Sequence, residues 1–291
     1  MSFIRLGACA ILATGYALAL NTVSYVSSSG NDANPCTFAQ PCRHFNAAIA
    51  ATDENGYVHT LTPGDYLGFA VTKSITIDGD FNAANLNISA GLGAATGIKV
   101  VLRNMEATSI AMSLIGGHLT LENVTLLSPD VPNYSGLPLD MILQSGSTLQ
   151  LTDVAIRGPR GGRVSGPGCE AHLNRVSVIL TDKSKSGFEV DSCTATIRNS
   201  VFRGSAAGLL FAGASGPAFG FVTGSEFTNN AAGLMTKNSA FPSEVRIDSS
   251  TFTFNLFGVN EQTPGTVITS RNNNFYRNGA DGAPATAASL K

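Results

Sequence analysis

Glu189 and Asp191 lie two residues apart in GFEVDS, a segment in which apolar and polar residues alternate. On a strand that spacing puts both carboxylates on one face, roughly 7 Å apart. Such a pair can hold a calcium ion or divide acid and base work between its members. His172, in CEAHLN, supplies an imidazole that can serve as an acid, a base or a ligand. Cations cluster close by in sequence: Arg160 and Arg163 in GPRGGRVSGPG, and Lys183 and Lys185 beside Asp182 in DKSKSG. Guanidinium and ammonium groups of this kind receive the carboxylates of an anionic ligand. Asn174 and Arg198 flank the apolar residues Leu173 and Ile197 and are expected to point outward with His172. The candidate catalytic residues are therefore Glu189, Asp191 and His172. The candidate ligand-binding residues are Arg160, Arg163, Asn174, Lys183, Lys185 and Arg198. Each has a plainer reading, as a solvated strand face, a histidine on a polar surface, or an inserted soluble loop.

The elements that must position these side chains are short alternating strands. LTLENVTL, LQLTDVAI, AHLNRVSV, ATIRNSVF and VRIDSSTF each carry apolar residues at every second position, the signature of a half-buried strand. Anchored on the second inward residue, the rungs fall at Ile77, Leu102, Leu121, Leu151, Leu173, Ile197, Val222 and Ile247, with a degenerate one at Ser270. A longer phrase recurs in FRGSAAGLLF, FTNNAAGLMT and FTFNLFGVNE, at Phe202, Phe227 and Phe252, and fades at Phe275. A fixed period of about 24 residues marks supersecondary units that bury their faces only on their neighbours. The expected fold is an all-β, right-handed parallel β-helix, a solenoid of about nine windings. Two residues past the anchors come Asn104, Asn123, Asp153, Asn199, Ser249 and Asn272, a polar ladder suited to a corner because asparagine tolerates left-handed backbone. The phenylalanines are expected to stack in the core rather than form an external platform. Asp78, Arg103 and Glu122, and likewise Asp248 and Arg271, share an outward position with alternating sign and read as charge ladders.

The cysteines test this register. Cys169 and Cys193 each precede an anchor by four residues, so they face each other on adjacent windings and are expected to form a disulfide. Cys36 and Cys42 are close enough to close a small second loop. RHFNAAIAAT, with Phe45, Ala48 and Ile49 on one face, predicts a short helix that covers the first winding. Residues 1–19 read as a secretory signal peptide: MSFIR is a basic start, an apolar run follows, and Ala17-Leu18-Ala19 suits cleavage. Residues 20–56 then form the N-terminal strand, disulfide loop and capping helix, 57–279 the β-helix, and 280–291 a tail. Export, to the periplasm or beyond, supplies the oxidising setting that disulfides require. No basic tract points to nucleic acid, no membrane span is expected after signal removal, and net charge is −2.

YVSSSGNDANPC, PCRHFNAAI and LTPGDYLGFAVTKSITIDG together resemble secreted bacterial right-handed parallel β-helix proteins of the pectin-lyase-like superfamily. That resemblance implies the fold and an extracytoplasmic setting. It does not imply one reaction, because the superfamily holds polysaccharide lyases, hydrolases and epimerases beside tailspikes and adhesins. The GHG, RxK and DPH segments of its better-known enzymes do not occur here, and Gly116-Gly117-His118-Leu119 is a near miss. Three functions stay open. The first is binding of an extracellular or cell-surface polysaccharide, with the cations taking uronate carboxylates. The second is a carbohydrate-active enzyme of the calcium-assisted lyase kind, and the third a structural envelope or matrix protein. No organic cofactor or resident metal is expected, calcium being the one ion the carboxylate pair suits.

Overall fold

The computed structural model describes residues 20–282, except 67, 81–82, 85, 91–95, 131–135, 238 and 271. The expected signal peptide and most of the expected tail lie outside the described residues, as does Arg271. A strand such as residues 170–174 buries Ala171 and Leu173 and exposes Glu170 and His172. One half-apolar strand cannot shield itself, so the chain winds and stacks each strand on its copy in the next winding. The result is a right-handed parallel β-helix. Val58, Ile77, Leu102, Leu121, Leu151, Leu173, Ile197, Val222 and Ile247 stand in one buried row, each paired with the next.

The row departs from the sequence reading at its two ends. The strand Asn21–Val26 already pairs in parallel with Thr52–Thr60, Ser24 facing Val58, so the stack begins before residue 57. At the other end Ile247 pairs with Thr269, not with Ser270. Val267 and Thr269 take the inward positions of that strand. The Ser270 hydroxyl instead donates to an Asp248 carboxylate oxygen at 2.6 Å, with the Ile247 carbonyl 3.2 Å away.

Each regular winding carries three strands. The first sheet holds the anchors and includes Thr148–Thr152, Ala218–Thr223 and Ser243–Asp248. A corner follows, where Asn104, Asn123, Asp153, Asn199 and Ser249 take φ between 48° and 55° as the polar ladder requires. Asn123 donates to Asn104 Oδ1 at 3.0 Å, and Asn104 donates to Asp78 Oδ1 at 2.9 Å. Arg175 fills the same corner position at φ 54° and lays its guanidinium on Asp153, Nε at 2.6 Å from Oδ1 and Nη2 at 2.6 Å from Oδ2. The second sheet then runs through Ala155–Gly158, Ser177–Leu180, Val201–Arg203 and Glu226–Thr228. The third comprises Leu139–Leu143, residues 162–165 and 188–191, Ala207–Ala212, Ala232–Thr236 and Phe257–Glu261.

The repeated phrase is a packing device. Phe202, Phe227 and Phe252 are fully buried, and their rings stack at 5.1 and 4.7 Å, with half-buried Phe275 added at 4.8 Å. Asn230 and Asn255 turn inward just beyond them. Asn255 Oδ1 accepts from the backbone N–H and Nδ2 of Asn230 at 3.0 and 3.1 Å. The following glycine leaves room for the next ring: a Cβ at Gly233 would stand 2.7 Å from Phe252 Cδ1.

Cys169 pairs with Cys193 across adjacent rungs, Cα atoms 4.7 Å apart, and Cys36 bonds Cys42. The helix Phe45–Ala51 buries Phe45, Ala48 and Ile49 over the N-terminal end of the core, with Phe45 against Phe69 at 4.6 Å and Tyr66 at 5.4 Å. Among the described residues no helix is long and apolar enough to cross a membrane.

Candidate functional site

The candidate residues do not form one groove. They divide between two sheets, because the chain bends at Ser192 (φ 61°) between residues 188–191 of the third sheet and 193–198 of the first. Glu189, Asp191 and Arg163 belong to the third sheet, and His172, Asn174 and Arg198 to the first. Arg160, Lys183 and Lys185 sit in the turns between the second and third sheets, where Lys183 Nζ donates to Asn229 Oδ1 at 3.0 Å. Asp182 accepts the Ser184 backbone N–H at 2.8 Å, which holds its carboxyl below the usual range, and Lys185 and Arg160 add to that.

On the third sheet Asp140, Arg163 and Glu189 stand on successive rungs. Arg163 was expected in a glycine-rich loop, yet it lies within the strand Gly162–Asn174. The glycine there is an inward residue: a Cβ at Gly162 would meet Phe188 Cε2 at 2.9 Å. Arg163 is also committed, with Nη2 2.9 Å and 3.1 Å from the two carboxylate oxygens of Asp140. Glu189 is half-buried and accepts no hydrogen bond among the described residues. Burial pushes its carboxyl above the ordinary glutamate range, Asp191 and Asp140 add to the rise, and Lys237 and Arg163 oppose it. Asp191 faces the same side, but its Oδ1 accepts from Ser192 Oγ at 2.8 Å and the Ala214 N–H at 2.9 Å, anchoring the next turn. The two carboxylates therefore have different environments.

On the first sheet the outward neighbours of the anchors line two adjoining hollows of about 420 and 460 Å³. Thr196 and Arg198 border both, with His172 and Asn174 on one side and Phe221, Arg246 and Asp248 on the other. The Arg198 guanidinium makes no hydrogen bond or ion pair among the described residues. Arg246 Nε lies 3.1 Å from Glu244, and His172 Nε2 lies 3.8 Å from Glu170.

Two residues of this face were missed from the sequence. Phe219 and Phe221 are 43% and 49% exposed. Both point outward because Val222 points inward, and a strand alternates. AFGFVT carries the signal, an inverted alternation in which the bulky residues take the outer positions. Gly220 must be small, since its Cβ would fall 2.5 Å from Phe211 Cζ in the core.

Among the described residues, one trio could in principle hold a metal ion, His59, Asp78 and Asp80, with donor atoms within 4.8 Å of one another. Its donors are already engaged. Asp78 accepts from Asn104, from the Asp80 N–H and from Arg103 Nε at 2.6 Å, and Asp80 lies 3.0 Å from His59 Nδ1. Burial alone would raise the Asp78 carboxyl, but these hydrogen bonds outweigh it and hold it below the usual range. The Asp78–Arg103 contact is one step of the expected charge ladder, with Glu122 the next rung in register.

The stacked parallel ladders define a right-handed β-solenoid. Residues 141–289 match the family described as right handed beta helix region, and the chain belongs to that family. Among solved structures it is similar to pectate lyase Pel9A, at 16% identity and a TM-score of 0.52, over 94% of this chain and 83% of that one. It is also similar to XylC in complex with xylose (8% identity, TM-score 0.45, 87% of this chain and 69% of that one). A rhamnogalacturonan lyase aligns at 13% identity and a TM-score of 0.40, over 84% of this chain and 74% of that one. No curated protein matches the chain.

Proposed function

We propose that this is an exported carbohydrate-binding protein that holds an acidic polysaccharide on the outer face of its first sheet. The observation that carries the reading is Phe221, a half-exposed aromatic ring in a groove between Arg198 and Arg246. An exposed ring gives the apolar C–H face of a sugar a surface to stack on. The uncommitted Arg198 offers a planar fork for a carboxylate, and His172 and Asn174 supply further polar contacts in the adjoining hollow. The two disulfides suit an oxidising compartment outside the cytoplasm. The name of a protein of similar fold, pectate lyase Pel9A, agrees with this reading.

Affinity electrophoresis through polygalacturonate, alginate and xylan tests it. Wild-type protein is expected to be retarded by an acidic polymer, less so as salt screens the arginines. Phe221→Ala and Arg198→Ala should each weaken retention by about tenfold. Unchanged mobility of both variants in a gel that retards wild type would overturn the proposal.

Glu189 favours a second reading, catalysis at the third sheet. A half-buried carboxyl without a hydrogen-bond donor, beside the Asp140–Arg163 pair, is suited to carry a proton to or from a substrate. New reducing ends or unsaturated uronate absorbance, lost in Glu189→Gln, would establish it. The same variant has a stability consequence independent of substrate. Because the folded state binds this proton more firmly than the unfolded chain, the group's stabilising contribution is present below the ordinary value of 4.5 and is lost as pH rises through the folded pKa. Glu189→Gln should therefore raise the melting temperature at about pH 7 and change it little at about pH 4. An equal shift at both values would contradict the assignment.

A further inference from the structure

We infer that the bound polymer lies along the solenoid axis, on a track that runs from Phe221 to Tyr57; this deepens the carbohydrate reading above and rests on it. The track is one outward row of the first sheet. Tyr57, Thr76, Val101, Thr120, Gln150, His172, Thr196 and Phe221 occupy successive rungs, each in register with the next. Seven rung intervals at about 4.8 Å give a length of roughly 34 Å.

Three properties of this row fit an extended glycan. The stretch is bounded by half-exposed aromatic rings, Tyr57 at 42% and Phe221 at 49%, with Val23 on the rung beyond the one and Arg246 on the rung beyond the other. The Tyr57 end carries more ring surface, since Phe38 packs edge-on against Tyr25 at 5.4 Å and Tyr25 is the rung neighbour of His59. Between the ends the row holds no lysine, arginine, aspartate or glutamate, so covering it removes no full carboxylate, ammonium or guanidinium charge from water. The charged and hydrogen-bonding groups stand in the rows on either side, Arg103, Glu122, Asn174 and Arg198 along one and Lys99 and Glu170 along the other. That is an apolar-to-neutral floor with a polar rim, the arrangement a ribbon of sugar rings with peripheral hydroxyls and carboxylates requires.

The face also argues against an extended peptide. Strand addition needs an open sheet edge, whereas the backbone groups along this row are spent in the parallel ladder on both sides. Successive sugar rings in an extended glycan repeat on the scale of the rung spacing, about 4.8 Å, so a tetramer reaches only part of the track and a decamer covers it.

The test uses size-fractionated oligomers of polygalacturonate, alginate and xylan, with binding followed by titration calorimetry on wild type, Phe221→Ala and Tyr57→Ala. Both residues are surface groups, and unchanged melting curves would verify folding. Affinity should rise by at least about tenfold from tetramer to decamer. Tyr57→Ala should weaken the decamer and leave the tetramer held at Phe221 unaffected, while Phe221→Ala weakens both. If the tetramer binds as tightly as the polymer, or Tyr57→Ala changes nothing while Phe221→Ala still weakens binding, the axial track is wrong and the local carbohydrate site survives. If no oligomer binds, or Phe221→Ala has no effect, both fail.

Discussion

Phe227→Ala is expected to lower the unfolding free energy by about 3–5 kcal/mol, as a large-to-small change in a closed core. The ring is fully buried and sandwiched at 5.1 and 4.7 Å between Phe202 and Phe252, with planes within 9° of parallel. Removing it opens a cavity that the solenoid cannot easily collapse. Its walls are strands held at fixed spacing by ladders above and below. Two stacking contacts disappear at once, one with each neighbouring winding. Chemical denaturation of wild type and variant measures the loss. A near-neutral midpoint would mean the ring faces solvent and the inward phase of the whole repeat is reversed.

Asn230→Ala should cost about 2–4 kcal/mol, because it strips partners from two buried backbone groups and two buried side chains. Asn230 Oδ1 accepts from the Ser205 backbone N–H at 3.0 Å and from Ser205 Oγ at 2.8 Å. Its Nδ2 donates to the Phe202 carbonyl at 3.0 Å and to Asn255 Oδ1 at 3.1 Å. Ser205 is fully buried and Asn230 only 4% exposed, so water does not readily replace these bonds. Asn255 repeats the arrangement one winding on, donating to the Phe227 carbonyl at 2.9 Å and to Asn278 Oδ1 at 3.1 Å. Asn104→Ala is the contrasting case, since its corner is half-exposed and the two groups it binds there, Asp78 and Asn123, keep access to water or other partners. Equal losses for the two variants would show that burial of the ladder is not what sets its energy.

The phenylalanine stack was legible in the sequence, because each winding must solve the same packing problem as the last; the inward turn of Asn230 and Asn255 was not. Alternation gave the row from Ile77 to Ile247, and the two cysteines four residues before Leu173 and Ile197 met as the register requires. Where repetition weakens, legibility goes with it. At Ser270 the winding yields its inward place to Thr269, and hydroxyl bonding, which periodicity does not encode, decides the outcome.

The candidate site was harder to read for a geometric reason. Closeness along the chain suggested that Glu189, His172 and Arg163 shared a groove, but one left-handed residue at Ser192 turns the strand onto another sheet. Arg163 looked like a loop residue because glycines flank it, and only the ring of Phe188 against Gly162 explains why a glycine is needed inside a strand. Phe219 and Phe221 were legible in principle, since the anchor Val222 already sets their phase. The meaning of Phe221 emerges only when Thr196 and Arg198 from the winding before it and Arg246 from the winding after it are brought around it.

The central claim, that a polysaccharide is held on the outward face of the first sheet, is tested most directly by hydroxyl-radical footprinting of the protein with and without saturating acidic polymer. Phe219, Phe221 and His172 should be protected, while Ile142 on the third sheet and Phe254 and Leu256 at the far corner, all well exposed, keep their reactivity. Protection centred on Ile142, or none at Phe221 in a complex known to have formed, would contradict the account and move the binding face to the sheet that carries Glu189.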